Sequence, residues 1–322
     1  MIISKTPLRI SFVGGGTDLP SFYKFHNGMV ISSAINKYIY VIVKERYDDL
    51  IVLNYTSNEV VEDISHIKHD LIRESLKKTG INKSIEITTL ADIPSSGSGL
   101  GSSSTVTVGL LNALYAFKGI AVTQELLARE ACEIEIEILK KPIGKQDQYI
   151  AAYGGVKKFI FQRDNQVSVS DILPNPDDRM LLCSNLLLHF TKITRNADKI
   201  LSEQKENNKV EFLKKIANLV PNLEQAFMEK EFNKLGYLLE ENWVLKKQLA
   251  SGITRPEIEI MTTIARNNGA LGFKIAGAGG GGFLMSYVPR NNQDTYRFGM
   301  KEYKELPFMF DSYGSRIIFN IQ

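Results

Sequence analysis

The feature that most constrains this chain is a run of spaced glycines and serines directly before an amphipathic helical pattern. The run reads PSSGSGLGSSS from Pro94 to Ser104, and apolar residues then recur at helical spacing up to Phe117. Glycines allow backbone amides to approach an anion, and a helix N-terminus carries a partial positive charge. The pattern predicts a phosphate-binding loop whose serines cap the helix. Its candidate residues are Pro94, Gly97, Ser98, Gly99, Leu100, Gly101, Ser102, Ser103 and Ser104.

This glycine-rich loop differs from a linker and from two common nucleotide-binding motifs. A flexible Gly/Ser linker is the simplest alternative, but linkers seldom adjoin so regular a helical pattern. The dinucleotide-binding fingerprint of an oxidoreductase requires GxGxxG spacing and a later acidic residue, and GSGLG has a different spacing. The chain has no GxxxxGK[ST] sequence, so a Walker A loop is excluded.

Two further glycine clusters lie far from this loop in the sequence. Gly14 to Gly16 precede Thr17 and Asp18, and Gly277 to Gly282 lie between two apolar segments. Each cluster alone is typical of a turn between strands. Three such loops in one chain favour a common polyphosphate ligand.

Composition limits the classes of protein that the chain can belong to. It has 322 residues with 43% hydrophobic and 23% charged side chains, as expected for a folded chain of about two domains. A net charge of +3 excludes a general nucleic-acid or membrane-surface binder. Two cysteines without metal-ligand spacing favour a reducing compartment. We expect a cytoplasmic protein without a signal peptide or a membrane span.

The pattern of secondary structure predicts a mixed α+β chain. The first ninety residues are mainly strand-like, and residues 125–139 fit a helix in which Glu135, unlike Glu133 and Glu137, faces the helix after the phosphate loop. Residues 164–179 have linker composition and an apolar strand pattern restarts at residue 180, which places domains at 1–172 and 173–322. Residues 197–268 are helical by pattern, with breaks expected near Pro221 and Pro256.

Taken together, the motifs resemble those of the GHMP kinases, a family that includes galactokinase, homoserine kinase and mevalonate kinase. Thr6 to Asp18 is similar to the family's first motif, Pro94 to Ser104 to its phosphate loop, and Lys274 to Gly282 to its third motif. The segment Gly144 to Gln148 (GKQDQ) is similar to the one that bears the sugar kinases' catalytic aspartate. The resemblance implies a ribosomal protein S5 domain 2-like N-terminal domain and a ferredoxin-like C-terminal domain.

The resemblance also implies roles for individual residues. Asp147 would be the catalytic base, and Arg9 would stabilise developing charge and keep that carboxylate ionised. ATP and Mg²⁺ are the implied cofactors, with Ser103 and Glu135 as the metal ligands. Gly279 and Gly280 would contact the nucleotide. The simpler alternatives are a solvated loop acid for Asp147 and a surface ion pair for Arg9.

Within the family, the segments Leu8 to Asp18, Gly144 to Gly155 and Lys192 to Leu201 resemble bacterial heptose 7-phosphate kinases and fucokinases. This implies phosphorylation of the anomeric hydroxyl of D-glycero-D-manno-heptose 7-phosphate, for nucleotide-activated heptose and surface polysaccharide synthesis. L-fucose or another free sugar is the alternative substrate, and a non-catalytic sugar sensor is the alternative function. A homodimer is a further possibility that the sequence leaves open. The implied substrate-binding residues are Gly15, Gly16, Thr17, Asp18, Arg195 and Gly277.

Overall fold

The structure is a computed structural model that describes residues 1–94, 97–194, 200 and 209–321. The described part of the chain forms two mainly antiparallel sheets, and helices pack against both. This confirms the expected α+β class. No helix in these ranges is long and apolar enough to cross a membrane. Arg195, an expected substrate-binding residue, lies outside the described residues.

The larger sheet is built around one long strand. In the described residues its strands are β1 (Ile2–Val13), β2 (Gly28–Glu45), β3 (Ile51–Asn54), β4 (Asn58–Val61), β5 (Ile85–Ala91), β6 (Val156–Phe161), β7 (Val167–Asp171) and β11 (Arg316–Asn320). Strand β2 pairs with β1 along one edge, and along the other with β6 in its first half and β5 in its second half. The order is β11-β1-β2-β5-β3-β4, and β7 pairs with β6.

The helices of this part of the chain lie in sequence between the strands of the larger sheet. They are α1 (Pro20–Tyr23), α2 (Asp70–Thr79), α3 (Ser102–Phe117), α4 (Gln124–Cys132) and α5 (Gln146–Tyr153). The central helix α3 contacts β1 and β2 and is buried over most of its length. Gly109 allows this close approach, because a Cβ there would lie 2.9 Å from the Thr6 Oγ1. The N-terminus of α3 is therefore fixed relative to β1.

The second sheet consists of β8 (Leu186–Phe190), β9 (Gly272–Ile275) and β10 (Phe283–Tyr287), in the order β8-β10-β9. The helices of this part are α6 (Pro176–Ser184), α7 (Val210–Met228), α8 (Lys234–Lys247), α9 (Pro256–Asn267) and α10 (Gln293–Gly299). The chain then returns to the larger sheet as β11. The expected division between residues 172 and 173 falls between β7 and α6 and stays a prediction.

Three local expectations were wrong. Residues 167–171 form β7 rather than a linker, because they pair with β6. Residues 180–184 belong to α6, since the side chain of Asn175 accepts hydrogen bonds from the amides of Asp177 and Asp178 and so caps a helix there. Pro221 lies inside α7. The apolar face that this helix buries outweighs the lost hydrogen bond of the proline.

Gly272 is the point where α8 approaches β9, and a Cβ there would overlap the carbonyl oxygen of Gly236. Because the obstacle is backbone, we expect Gly272→Ala to lower the free energy of unfolding by about 2 kcal/mol or more. Gly252→Ala is the control, since its nearest neighbour would be a flexible atom of Ile200 at 3.5 Å. Urea unfolding of both variants measures the difference, and equal stabilities would contradict this role of Gly272 in the packing.

Candidate active site

The glycine-rich loop reaches α3 through left-handed backbone. Gly97, Gly99 and Gly101 have φ of 74°, 76° and 81°. Gly101 is the N-cap of α3 and supplies no side-chain cap, so the expectation that a serine hydroxyl caps this helix was wrong. The Ser98 and Ser102 hydroxyls instead lie 3.2 Å apart, and Ser98 Oγ accepts from the Leu100 amide. The first N–H groups of α3 have no intrahelical acceptor, as phosphate binding requires.

Arg9 on β1 connects this loop to α5. Its Nε and Nη2 donate to Asp147 Oδ1 and Oδ2 at 2.7 and 2.6 Å, which is a bidentate ion pair. Its Nη1 donates to the Gly99 carbonyl at 2.6 Å, and its amide donates to the Leu100 carbonyl at 3.0 Å. The Arg9 side chain is 5% exposed and that of Asp147 is 24% exposed. The two predicted catalytic residues are therefore in direct contact beside the loop.

Asp18 borders one pocket together with Arg9 and Asp147. It is 3% exposed, and its carboxylate accepts from the Gly16 amide at 2.9 Å and from the amide and side chain of Gln146 at 3.2 and 3.1 Å. Burial raises the pKa of Asp18, and the negative charge of Asp147 raises it further. The backbone and side-chain N–H donors keep the carboxylate oriented.

The pocket between these groups is lined from both parts of the molecule. Its lining residues are Arg9, Ser11, Gly15, Gly16, Asp18, Leu19, Ile143, Gly144, Gln146, Asp147, Lys246, Gly277 and Ala278. Four predicted substrate-binding residues (Gly15, Gly16, Asp18 and Gly277) thus lie on it. Thr17 does not line the pocket. Its hydroxyl shares its one proton between the Gly14 and Met29 carbonyls, at 2.8 and 2.9 Å, and accepts from the Met29 amide.

Glu135 and Ser103 form a separate polar pair at the start of α3. Ser103 Oγ donates to Glu135 Oε2 at 2.8 Å, and Gln148 Nε2 donates to Oε1 at 3.1 Å. Ser104 also hydrogen-bonds to this carboxylate, which is fully buried. Burial raises the pKa of Glu135, while the nearby charge of Lys141 acts in the opposite direction.

The turn that presents Glu135 is π-helical. Residues Glu133–Ile138 form this turn, in which the Leu139 amide donates to the Ile134 carbonyl five residues earlier. The predicted orientation of Glu135 towards α3 is correct, although the predicted turn was α-helical. Glu137 is exposed, and Glu133 forms an ion pair with Lys78 at 2.7 Å.

The third glycine cluster adjoins the phosphate loop. A Cβ at Gly282 would overlap the Ser98 carbonyl, and a Cβ at Gly279 would contact Ile253. The Gly280 amide donates to the Ile253 carbonyl at 2.6 Å, so this expected nucleotide contact already has a protein acceptor. Pro94 and Ser98 line a largely apolar groove with Phe190, Phe283 and Leu306.

Three buried polar residues near the pocket were not predicted from the sequence. Two of them, Lys246 and Asn242 on α8, are 4% and 0% exposed, although their segment has the composition of a solvated helix face. Lys246 Nζ donates to the Gly277 carbonyl, and Asn242 Oδ1 accepts from the Gly14 amide at 3.3 Å. Both residues continue the helical spacing of Leu235 and Leu239, which is the signal that could have revealed their burial.

The third such residue, Lys274 on β9, joins the two sheets. Its Nζ donates to the Ser11 and Phe12 carbonyls of β1, each at 3.0 Å. Burial lowers the pKa of Lys274, and the positive charges of Lys246 and Arg9 lower it further. This side chain fixes the end of β1 that faces the pocket.

Comparison with known protein families identifies two matches. Residues 65–155 match the GHMP kinases N terminal domain, and residues 223–295 match the GHMP kinases C terminal domain. The chain is 30% identical to a D-glycero-alpha-D-manno-heptose 7-phosphate kinase of Campylobacter jejuni, over 89% of each chain. It is 27% identical to an L-fucokinase/L-fucose-1-P guanylyltransferase of Bacteroides fragilis, over 88% of this chain but only 34% of that protein.

A solved structure is similar over the full length. It is a D-glycero-D-manno-heptose 1-phosphate kinase from Bacteroides thetaiotaomicron, with a TM-score of 0.83, 26% identity and 100% of both chains covered. The two-domain arrangement that the sequence motifs implied is therefore confirmed.

The burial of Glu135 predicts a pH-dependent stability. Because burial raises the pKa of Glu135, the folded protein keeps a proton at pH values where the unfolded chain has lost it. The stability therefore falls as the pH rises from the pKa of the unfolded glutamate towards that of the folded one. Glu135→Gln removes the titration, and an amide can still accept from Gln148 and donate to Ser103. Relative to wild type, the free energy of unfolding of this variant should increase in metal-free buffer as the pH rises above about 4.3, the usual pKa of a glutamate in an unfolded chain.

The control is Glu137→Gln, which changes an exposed glutamate of the same turn. Because this variant keeps Glu135, it should retain the fall of stability with rising pH that the wild type shows. Urea unfolding at several pH values measures both, and parallel profiles for Glu135→Gln and wild type would contradict the role of burial.

Proposed function

The chain belongs to the GHMP kinase family and is an ATP-dependent sugar kinase, and on this premise we propose that it phosphorylates the anomeric hydroxyl of D-glycero-D-manno-heptose 7-phosphate. The product would be the 1,7-bisphosphate, for nucleotide-activated heptose and surface polysaccharide synthesis. The observation that carries the catalytic part is the contact of Arg9 with both Asp147 and the Gly99 carbonyl. It holds a carboxylate where the phosphate loop meets the pocket.

Asp147 has the geometry of a base. Each of its oxygens accepts one hydrogen bond from Arg9, which leaves further lone pairs for the acceptor hydroxyl. As the hydroxyl oxygen forms its bond to the γ-phosphorus, the bond from phosphorus to the bridging oxygen breaks and ADP leaves. The proton of the hydroxyl passes to Asp147, and Arg9 stabilises the negative charge that develops beside it.

The phosphate loop and the Ser103–Glu135 pair support binding of ATP with Mg²⁺. GHMP kinases use ATP as the phosphate donor. A hydroxyl and a buried carboxylate are hard oxygen ligands, and Mg²⁺ commonly takes only one or two carboxylates and completes its shell with phosphate oxygens and water. When bound, the ion would neutralise charge on the transferred phosphate. Ser103 and Glu135 would hold it at the N-terminus of α3.

The choice of acceptor rests on the relatives. One is named a heptose 7-phosphate kinase and another a heptose 1-phosphate kinase, so their names agree on the sugar and differ in the phosphate position. Gly15 and Gly16 line the pocket. The family resemblance aligns them with a Glu and a His of galactokinases, and the absence of these two side chains supports an acceptor other than galactose. Arg195, which lies outside the described residues, would bind the phosphate that the acceptor already carries. It comes three positions after Lys192, whose ammonium lies 5.5 Å from the Tyr303 ring centroid.

A free sugar such as L-fucose is the second candidate, favoured by the similarity to the Bacteroides fragilis fucokinase. An assay that measures ADP release with free hexoses, L-fucose, heptoses and their 1- and 7-phosphates separates the two, with NMR locating the phosphorylated carbon. We expect turnover with heptose 7-phosphate and a 1,7-bisphosphate product. Turnover with a free sugar alone would support the second candidate, and ATP and sugar binding without turnover would support a sensor.

Asp147→Asn tests the base. The amide cannot accept a proton at neutral pH, so we expect kcat to fall about 100-fold or more while ATP still binds. Asp171→Asn is the matched control, because Asp171 forms a surface ion pair with Lys157 at 2.8 Å. Steady-state kinetics and ATP titration of both variants give the comparison. Undiminished turnover by Asp147→Asn would reject Asp147 as the base.

A further inference from the structure

Two buried oxygen atoms in the pocket have no hydrogen-bond partner within the described protein. They are Ser11 Oγ and Gln146 Oε1. A buried polar atom without a partner costs about 1–3 kcal/mol, so such atoms usually mark a bound water or ligand group. Both residues line the pocket that Arg9, Asp18 and Asp147 border.

Position distinguishes Ser11 from other serines of this kind. Ser32 and Ser75 also carry buried hydroxyls without a described partner, but neither lines the pocket. Ser11 lies two residues after Arg9 on β1, and alternate residues of a strand share a face. Lys274 donates to the Ser11 carbonyl and fixes this part of the strand.

Ser11 and Gln146 border one common space above Gly15. A Cβ at Gly15 would lie 3.6 Å from Ser11 Oγ and 3.5 Å from Gln146 Nε2, which are ordinary contact distances. The space is therefore large enough for one further atom between the two side chains. In this chain, glycine leaves it free for a ligand.

The chemistry of the two atoms defines what fills this space. Gln146 Nε2 donates to the Asp18 carboxylate, and this contact identifies the other end of the amide as the acceptor oxygen. Oε1 can only accept, so its partner must be a donor; a phosphate oxygen without a proton does not qualify. The Ser11 hydroxyl can donate or accept. A ligand hydroxyl that reaches both atoms would satisfy them at once.

Resting on the proposed sugar kinase function, we propose that Ser11 and Gln146 bind a hydroxyl of the acceptor sugar above Gly15 and so set acceptor specificity. This hydroxyl is distinct from the one that is phosphorylated. It donates to Gln146 Oε1 and accepts from Ser11 Oγ. The two residues act on acceptor binding and orientation, whereas Asp147 acts on the reacting hydroxyl.

Ser11→Ala tests the proposal without disturbing a protein hydrogen bond, because the removed hydroxyl has no described partner. We expect the acceptor KM to rise about 3- to 10-fold, which is the contribution of one neutral hydrogen bond. The KM for ATP should not change. The melting temperature should stay the same or rise, because an unpaired buried hydroxyl is removed. Ser75→Ala is the matched control: it removes an equally buried hydroxyl from α2 and should leave both KM values unchanged.

Gly15→Ala supplies a second variant. Its Cβ fits the empty space, so the protein should keep its melting temperature, yet the methyl group occupies the place of the sugar hydroxyl. We expect a larger rise in acceptor KM than for Ser11→Ala. An unchanged acceptor KM in both variants would overturn the proposal.

Monodeoxy analogues of the acceptor identify the hydroxyl. One analogue should bind the wild type more weakly than the parent sugar does. The Ser11→Ala variant should bind this analogue and the parent sugar about equally, because the two changes remove the same interaction. Equal losses for every analogue in both proteins would contradict the pairing. An active wild type with unaltered variants overturns this inference alone, whereas a wild type that neither binds nor converts any sugar overturns the proposed function with it.

Discussion

The bidentate ion pair between Arg9 and Asp147 is the interaction on which the geometry of the site depends. A nearly buried guanidinium is costly to remove from water, and this cost is offset only when its N–H groups find well-aligned acceptors. Arg9 finds them on two separate elements, the Asp147 carboxylate of α5 and the Gly99 carbonyl of the phosphate loop. The position of each element is thereby coupled to that of β1.

Around this pair, the pocket depends on contacts between the two sheets. Lys274 extends from β9 to the carbonyls of β1, and Asn242 on α8 accepts from the amide of Gly14. Lys246 donates to the Gly277 carbonyl, and both residues line the pocket. Buried polar groups of this kind are costly if they lose their partners, so they favour one relative position of the two parts. These contacts preorganise the pocket.

The sequence predicted those parts of the site whose chemistry depends on local patterns. The loop before α3 and the inward orientation of Glu135 follow from glycine spacing and helical phase, whereas the proximity of Arg9 to Asp147 was implied by the family resemblance. Lys246 was missed because its burial against the third glycine cluster depends on tertiary packing. Thr17 stays a predicted substrate-binding residue, although its hydroxyl bonds to backbone groups of Gly14 and Met29. The prediction that a serine caps α3 was wrong because the N-cap position is Gly101, which has no side chain.

The pairing of β11 with β1 joins Ile2 to Asn320, two residues separated by nearly all of the sequence. While the protein is being synthesised, β1 can pair with β2 early, but its other edge has no partner until Arg316 to Asn320 leave the ribosome. An uncovered strand edge is a template for pairing with other chains. Completion of the larger sheet is therefore a late event of biosynthesis, and the strand that carries Arg9 is exposed to misassembly until its last partner has been made.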